Sequence, residues 1–300
     1  MTLDVRLLFC HLICLASLCQ AANAETLLRW RFTEGDSWLI TVDQHTTTAT
    51  SGAGKPSEVD VAMQMRLSWG INSVDSEGTA QITQKIERFA VAMKSGAAEP
   101  IKYASDSDFK PSGSAASIAA AVSPVIGAEF TVTMTNRGVI REVNLSEAAV
   151  EAFSAIESPG LKNLFSAEGV RQLFSQAAVE LPEAAVVTGS NWTASSATAS
   201  PLGTLKHDRT YTVAANEVVD GKTLERIELS GDLAVESSEQ TAGKSKLVDQ
   251  ALSGKMLFDT EAGRLVTCQS TQAFTTERPY REFKIKVVTT AETKMTISPQ

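Results

Sequence analysis

Cysteine is scarce where it would matter. Of the four cysteines, Cys10, Cys14 and Cys19 fall within the first 24 residues, and only Cys268 lies beyond them. A chain that sheds those residues cannot close an intramolecular disulfide. At this length it needs none to bury a sizeable core. Histidine is as thin: after the first 24 residues only His45 and His207 are present. A zinc site wants three or four His, Cys or carboxylate ligands at recognisable spacing, and no HExxH or CxxC occurs. Both histidines sit in polar surroundings and read as solvated strand-end or loop residues. Basic charge is in deficit as well, with 27 Lys and Arg against 35 Asp and Glu and a net charge of −8. Without a clustered basic face, this balance argues against nucleic acid and anionic lipid surfaces as partners. Beyond the start of the chain no apolar run is long enough to cross a membrane as a helix.

The start of the chain is an address. Met1–Arg6 is a short polar head, and Leu7–Cys19 is an apolar run of 13 residues, shorter than the ~20 a spanning helix needs. Ala22-Asn23-Ala24 then offers an A-x-A cleavage site. This order of parts is that of a secretory signal peptide over 1–24. The exported chain then begins at Glu25, in the periplasm or outside the cell. Leu18 before Cys19 and Ile13 before Cys14 fit a lipoprotein signal poorly. The sequons at Asn144 and Asn191 read as chance matches.

After the leader the dominant period is two. Val61, Met63, Met65, Leu67, Trp69 and Ile71 share one face of a strand, with polar residues between them. Phe283, Ile285, Val287, Ala291, Met295 and Ile297 do the same near the end of the chain. Strands this long exceed the usual ~5–6 residues and predict a twisted sheet that curls. Turns are marked by Asp75–Gly78, Asn136–Gly138, Asp220-Gly221 and Glu261–Gly263. Between Ile86 and Phe89 the apolar parity switches, which predicts a bulge near Glu87–Phe89. Ser146 caps a predicted helix over Glu147–Ala155 with Val150 and Phe153 inward. A second helical face follows Ser166 and is closed by Pro182, and a short helix covers Ala115–Val122. Thr46–Ser57 and Ser95–Gly113 read as mobile loops.

The chain also repeats itself. "EGDSW" (34–38) returns as "TGSNW" (188–192), "DSEGTAQITQKIERFAV" (75–91) as "VDGKTLERIELSGDLAV" (219–235), and "TMTNRGVIREV" (133–143) as "LFDTEAGRLVTC" (257–268). Three features in one order point to an ancient duplication. The expected organisation is a signal peptide over 1–24, a first β unit over 25–143, a helical connector over 144–182 and a second β unit over 183–300, with 25–300 forming one body. The fold class is mainly β (α+β), with long, curved antiparallel sheets.

"LLRWRFTEGDSW", "IERFAV", "SAEGVRQLFSQAAVELPE" followed by "TGSNW", and "GKMLFDTEAGRLV" together resemble a family of secreted bacterial proteins of unknown function. The resemblance covers nearly all of 25–300 and rests on pattern and order. It implies export and a β-rich body, and carries over no catalytic or binding residue. A weaker, architectural similarity is to the open half-barrels that carry lipoproteins or lipids between bacterial membranes.

Reactive chemistry is not legible. There is no G-x-S-x-G elbow. Ser107-x-x-Lys110 lies in a loop, and "GAGKPS" (52–57) departs from a phosphate loop in glycine placement and at Pro56. Asp106 and Asp108 offer too few oxygens for calcium. Asp36, Asp259 and Glu261 read as turn residues. The four tryptophans, Trp30, Trp38, Trp69 and Trp192, fall in predicted strands and read as core anchors. Cys268 reads as a small hydrophobe sharing a strand face with Val266 and Ser270.

The function expected is therefore a non-enzymatic binding or carrier protein for a hydrophobic small molecule such as a lipid, with no cofactor and no metal. Its cavity would be lined by Met63, Met65, Trp69, Val91, Phe283 and Ile285. The alternative is a structural or protein-interaction component of the cell envelope, with an envelope protein as partner.

Overall fold

The computed structural model describes residues 25–52, 54–154, 179–200, 203–236 and 245–300. The leader and the helical segment after Ser166 lie outside these residues, apart from the end at 179–182. Among them the strands are β1 (Ser37–Ser51), β2 (Ser57–Val74), β3 (Ala80–Ser95), β4 (Ile101–Ala104), β5 (Glu129–Met134), β6 (Ile140–Leu145), β7 (Asn191–Ser200), β8 (Gly203–Val213), β9 (Glu217–Val219), β10 (Lys222–Glu236), β11 (Lys246–Asp259), β12 (Arg264–Tyr280) and β13 (Phe283–Pro299). All belong to one antiparallel sheet. Its order is β7-β8-β10-β11-β12-β13-β1-β2-β3-β5-β6, with β4 paired to β3 and β9 to β10. The two halves of the chain thus lie side by side in a single meander, joined where β13 meets β1.

Two expectations about strands need correcting. Thr46–Ser51 is not a loop: β1 continues to Ser51, paired with β2 on one side and β13 on the other. The run Thr46-Thr47-Thr48-Ala49-Thr50 is polar but β-branched, and β-branched residues fit a pleated surface. Likewise Ser95–Gly113 contains β4 and so is not wholly irregular. The bulge expected near Glu87–Phe89 is present. Arg66 pairs with Arg88 and Leu67 with Ile86, which leaves Glu87 as the extra residue. A second bulge was missed: Leu257 pairs with Thr267 but Phe258 with Leu265. Val266 is the extra residue there, so Leu265, at 1% exposure, shares the Cys268 face in its place.

The helix α1 spans Ser114–Val122. The helix α2 spans Glu147–Ser154, and the Ser146 hydroxyl accepts the Ala149 N–H at 3.1 Å as its N-cap. Phe153 is buried as expected, but its inward partner one turn earlier is Ala149; Val150 is 53% exposed.

The core gathers at one end of the long strands. Trp30, Phe32, Trp38, Trp69 and Phe258 form a ring-on-ring cluster with centroids 5.6–6.5 Å apart. Trp30 lies outside any strand, in a segment that crosses this end of the sheet. Its backbone N–H donates to Asn136 O at 2.7 Å, and that of Arg31 to Gly263 O at 2.8 Å. A second crossing segment, 179–187, donates from Leu181 N–H to Arg137 O at 2.7 Å. It also accepts the Trp30 indole N–H on Val179 O at 3.4 Å. Glycine is required at both crossings. At Gly138 (φ +86°) a Cβ would sit 2.3 Å from Val179 O, and at Gly263 (φ +63°) 2.3 Å from Arg31 Cγ.

Candidate functional site

The sheet wraps around what it does not fill. Above the aromatic cluster its inner face encloses a cavity of about 480 Å³. The lining comes from eight neighbouring strands, from β3 round to β8, so the sheet curls into an open half-barrel. Period-two alternation explains the lining. Phe89, Met65, Val42, Met295, Cys268 and Met256 form one cross-strand row, each in register with the next. The row toward the open end holds Gln44, Met63, Thr293, Ser270 and, across β10–β8, Leu229 and Tyr211. Four of the chain's seven methionines line the space.

The expected lining residues are distributed as follows. Met63 and Met65 line the cavity. Trp69 is fully buried beneath it, and its indole N–H donates at 2.6 Å to Gln84 Oε1, which is itself a lining residue. Val91 stands opposite Met63 but bounds a second, broader trough of about 960 Å³. Phe283 is 51% exposed and Ile285 buried; both sit at the far end of β13 and line neither space. The broad trough carries outward-facing charges of both signs, among them Asp43, Glu228, Lys255, Glu292 and Lys294. A strongly twisted sheet is saddle-shaped, so both faces can be hollow.

Sequence reasoning missed β8. Leu205, His207, Arg209, Tyr211 and Val213 share its inner face, and His207, Arg209 and Tyr211 line the enclosed cavity. His207 is therefore not a solvated loop residue. The signal was available: in "LKHDRTYTV" (205–213) the two apolar ends and the aromatic have one parity, which carries His207 and Arg209 inward with them.

The electrostatics follow from burial. The His207 pKa is lowered by desolvation and further by the Arg209 charge, with Asp208 opposing. Desolvation raises Tyr211, against the Arg209 charge and a hydrogen bond from its guanidinium. Burial pushes the Cys268 thiol up to about 11, with Arg209 again opposing. Three cavity groups thus feel one guanidinium. The residues read as turn or loop carboxylates behave that way. Asp106 pairs with Arg88 at 2.6 Å, and Asp259 accepts the Ala262 N–H at 2.8 Å. His45 stays exposed on β1, 3.8 Å from Asp60.

An open antiparallel half-barrel with a closed aromatic base and an enclosed apolar cavity is the class that this geometry defines. Over residues 77–264 the chain matches the model of the family of unknown function DUF6263, and it belongs to that family. No curated protein matches it. Among solved structures it is similar to lipovitellin, in a structure described for its lipid–protein interactions. The identity is 12% and the TM-score 0.51, covering 89% of this chain and 25% of that one. The chain thus spans about a quarter of lipovitellin's length, and the likeness is one of fold. Weaker matches are a Bacteroides fragilis protein with a YmcC-like fold, described as exported, and a β-barrel-like protein from Brucella abortus. The first has 9% identity, TM-score 0.24 and coverage of 87% and 96%. The second has 7% identity, TM-score 0.20 and coverage of 92% and 100%.

Proposed function

We propose that this is an exported carrier or binding protein whose enclosed inner cavity holds a hydrophobic ligand. The carrying observation is the cavity itself. At about 480 Å³ it falls in the ~300–1,000 Å³ range of small-molecule sites. It sits between a packed aromatic base and an open strand end, and methionine is the commonest residue of its wall. Methionine is flexible and polarizable and suits a surface that must fit long apolar groups. The lipovitellin-like fold agrees with such a use. The leader expected over 1–24 supplies the export.

A titration with an uncharged hydrophobic reporter dye tests this. Wild-type protein is expected to bind it saturably. Ala291→Trp, which places an indole in the cavity from a half-buried lining position, is expected to abolish binding while leaving the fold cooperative. Equal binding by both proteins would contradict the reading.

The internal duplication belongs to the same proposal. Two copies of one curled β unit, set side by side, make a deeper half-barrel than either alone. A role as an envelope interaction protein is favoured by one feature: the outer edges of β6 and β7 have no strand partner among the described residues, and a free edge can accept an added strand. Pull-down from the envelope fraction separates that role from carriage.

A further inference from the structure

Among the described residues lining the cavity, Gln44, Gln84, Ser270, Gln272 and Thr293 are polar but uncharged, and the one permanent charge is on β8. Arg209 projects into the enclosed space. Its cross-strand neighbours are Ala194 on β7 and Gly231 on β10, so neither side chain covers or pairs with it. Among the described residues its polar neighbour is Tyr211, whose hydroxyl takes a hydrogen bond from the guanidinium. The nearby carboxylates are engaged elsewhere. Asp208 accepts from Ser195 Oγ at 2.5 Å, and Glu180 lies 3.5 Å from Arg137. No carboxylate among the described residues forms an ion pair with Arg209. A guanidinium half-buried in an uncharged wall without an anion is costly to keep. Neutralised by a bound anion it becomes an asset, because its planar fork matches a carboxylate through two parallel hydrogen bonds.

The position along the strand matters. Arg209 pairs with Gly231, and Gly231 with Leu252, four residues toward the open end from the Ile227–Met256 pair beside the base. A ligand headed by Arg209 would therefore lay its tail down toward Met256, Met295 and Met65. The volume of about 480 Å³ suits one chain better than two.

We infer that the ligand is a single-chain amphiphile with a carboxylate head, a long-chain fatty acid or its chemical equivalent, held at Arg209 with its tail on the methionine wall. This rests on the reading of the cavity as a hydrophobic site.

The test is competition against the uncharged dye, using a long-chain fatty acid, the alcohol of the same chain length, and inorganic phosphate. The fatty acid is expected to displace dye from wild-type protein on the order of tenfold more tightly than the alcohol. Arg209→Met is expected to bring that ratio to about one, and Arg209→Lys to retain part of it. Phosphate alone is expected to displace nothing. If acid and alcohol compete equally in wild type, the carboxylate assignment falls while the hydrophobic site stands. A ratio that survives in Arg209→Met removes Arg209 from the role. Displacement by phosphate replaces the amphiphile with a free anion. If dye does not bind at all, both readings fail. Should Arg209→Met not fold, the wild-type ratio and the Arg209→Lys variant still decide.

Discussion

The two halves of the sheet begin in the same way and are finished differently. Gly35 (φ +87°) and Gly189 (φ +91°) each turn the chain into the half's first strand. The Gly35 N–H donates to Ile71 O and the Gly189 N–H to Val213 O, at 2.9 and 2.8 Å. Ile71 and Val213 donate back to Asp36 and Ser190, both at 2.9 Å. Three residues after each glycine comes a tryptophan in register with an aromatic on the next strand, Trp38 with Trp69 and Trp192 with Tyr211. In the first half the pair is sealed in the aromatic base, with Trp38 at 2% exposure. In the second half Tyr211 lines the cavity. Trp192 is half-buried, stacks on Tyr211 at 5.3 Å and donates to Glu180 O at 2.8 Å. One local pattern thus lies in the base of one half and, through Tyr211, in the cavity wall of the other.

Substitution can break this comparison most sharply at the tryptophans. Trp38→Ala is expected to cost about 3–5 kcal/mol, as large core truncations do, a large fraction of a typical ~5–15 kcal/mol total. Trp192→Ala is expected to cost about 1–2 kcal/mol, because less apolar surface and one hydrogen bond are lost. Chemical denaturation of both variants measures the difference. Equal losses would mean that the halves are not divided as described.

The glycines give a smaller, graded set. Gly35→Ala and Gly189→Ala meet nothing within 4 Å, so each should cost only the left-handed backbone penalty, about 1–2 kcal/mol. Gly138→Ala adds a contact with a backbone oxygen, which cannot yield. It is expected to exceed Gly263→Ala, where the contact includes the flexible Arg31 side chain. Thermal or denaturant midpoints should rank Gly138 above Gly263, and Gly263 above the open pair.

The smallest effect is expected at Cys268, which stands five residues after Gly263 as Val143 stands five residues after Gly138. Cys268→Val should leave stability within about 1 kcal/mol. With the thiol pushed up to about 11, thiolate at pH 8 is scarcer than in a free cysteine by roughly a hundredfold. Alkylation by a small neutral reagent should be correspondingly slow and should accelerate as the pH rises toward that value. Fast labelling at neutral pH would place Cys268 outside the cavity wall.

Most of the scaffold was legible because period two is a strong signal where one face is apolar. β2, the end of β13, the Glu87 bulge and four turns all follow from parity and turn chemistry. Legibility failed where polarity hid the period. The threonine run of β1 looked like a loop, and His207 looked solvated although its parity matched Tyr211 and Val213. Trp30 was misplaced because a segment crossing the base has no period at all. The division between base and cavity was not legible, since Met63, Met65 and Trp69 alternate identically and only the crossing segments decide which is sealed. Long-range closure of that kind has no local sequence mark.

The most direct test of the central claim is the hydrophobic content of the protein purified from its expressing cells without detergent, read by solvent extraction and mass spectrometry. A stoichiometric amphiphile is expected from wild type and its absence from a folded Ala291→Trp variant. Two equally empty preparations, neither of which takes up an uncharged dye, would contradict the account and leave the half-barrel a scaffold.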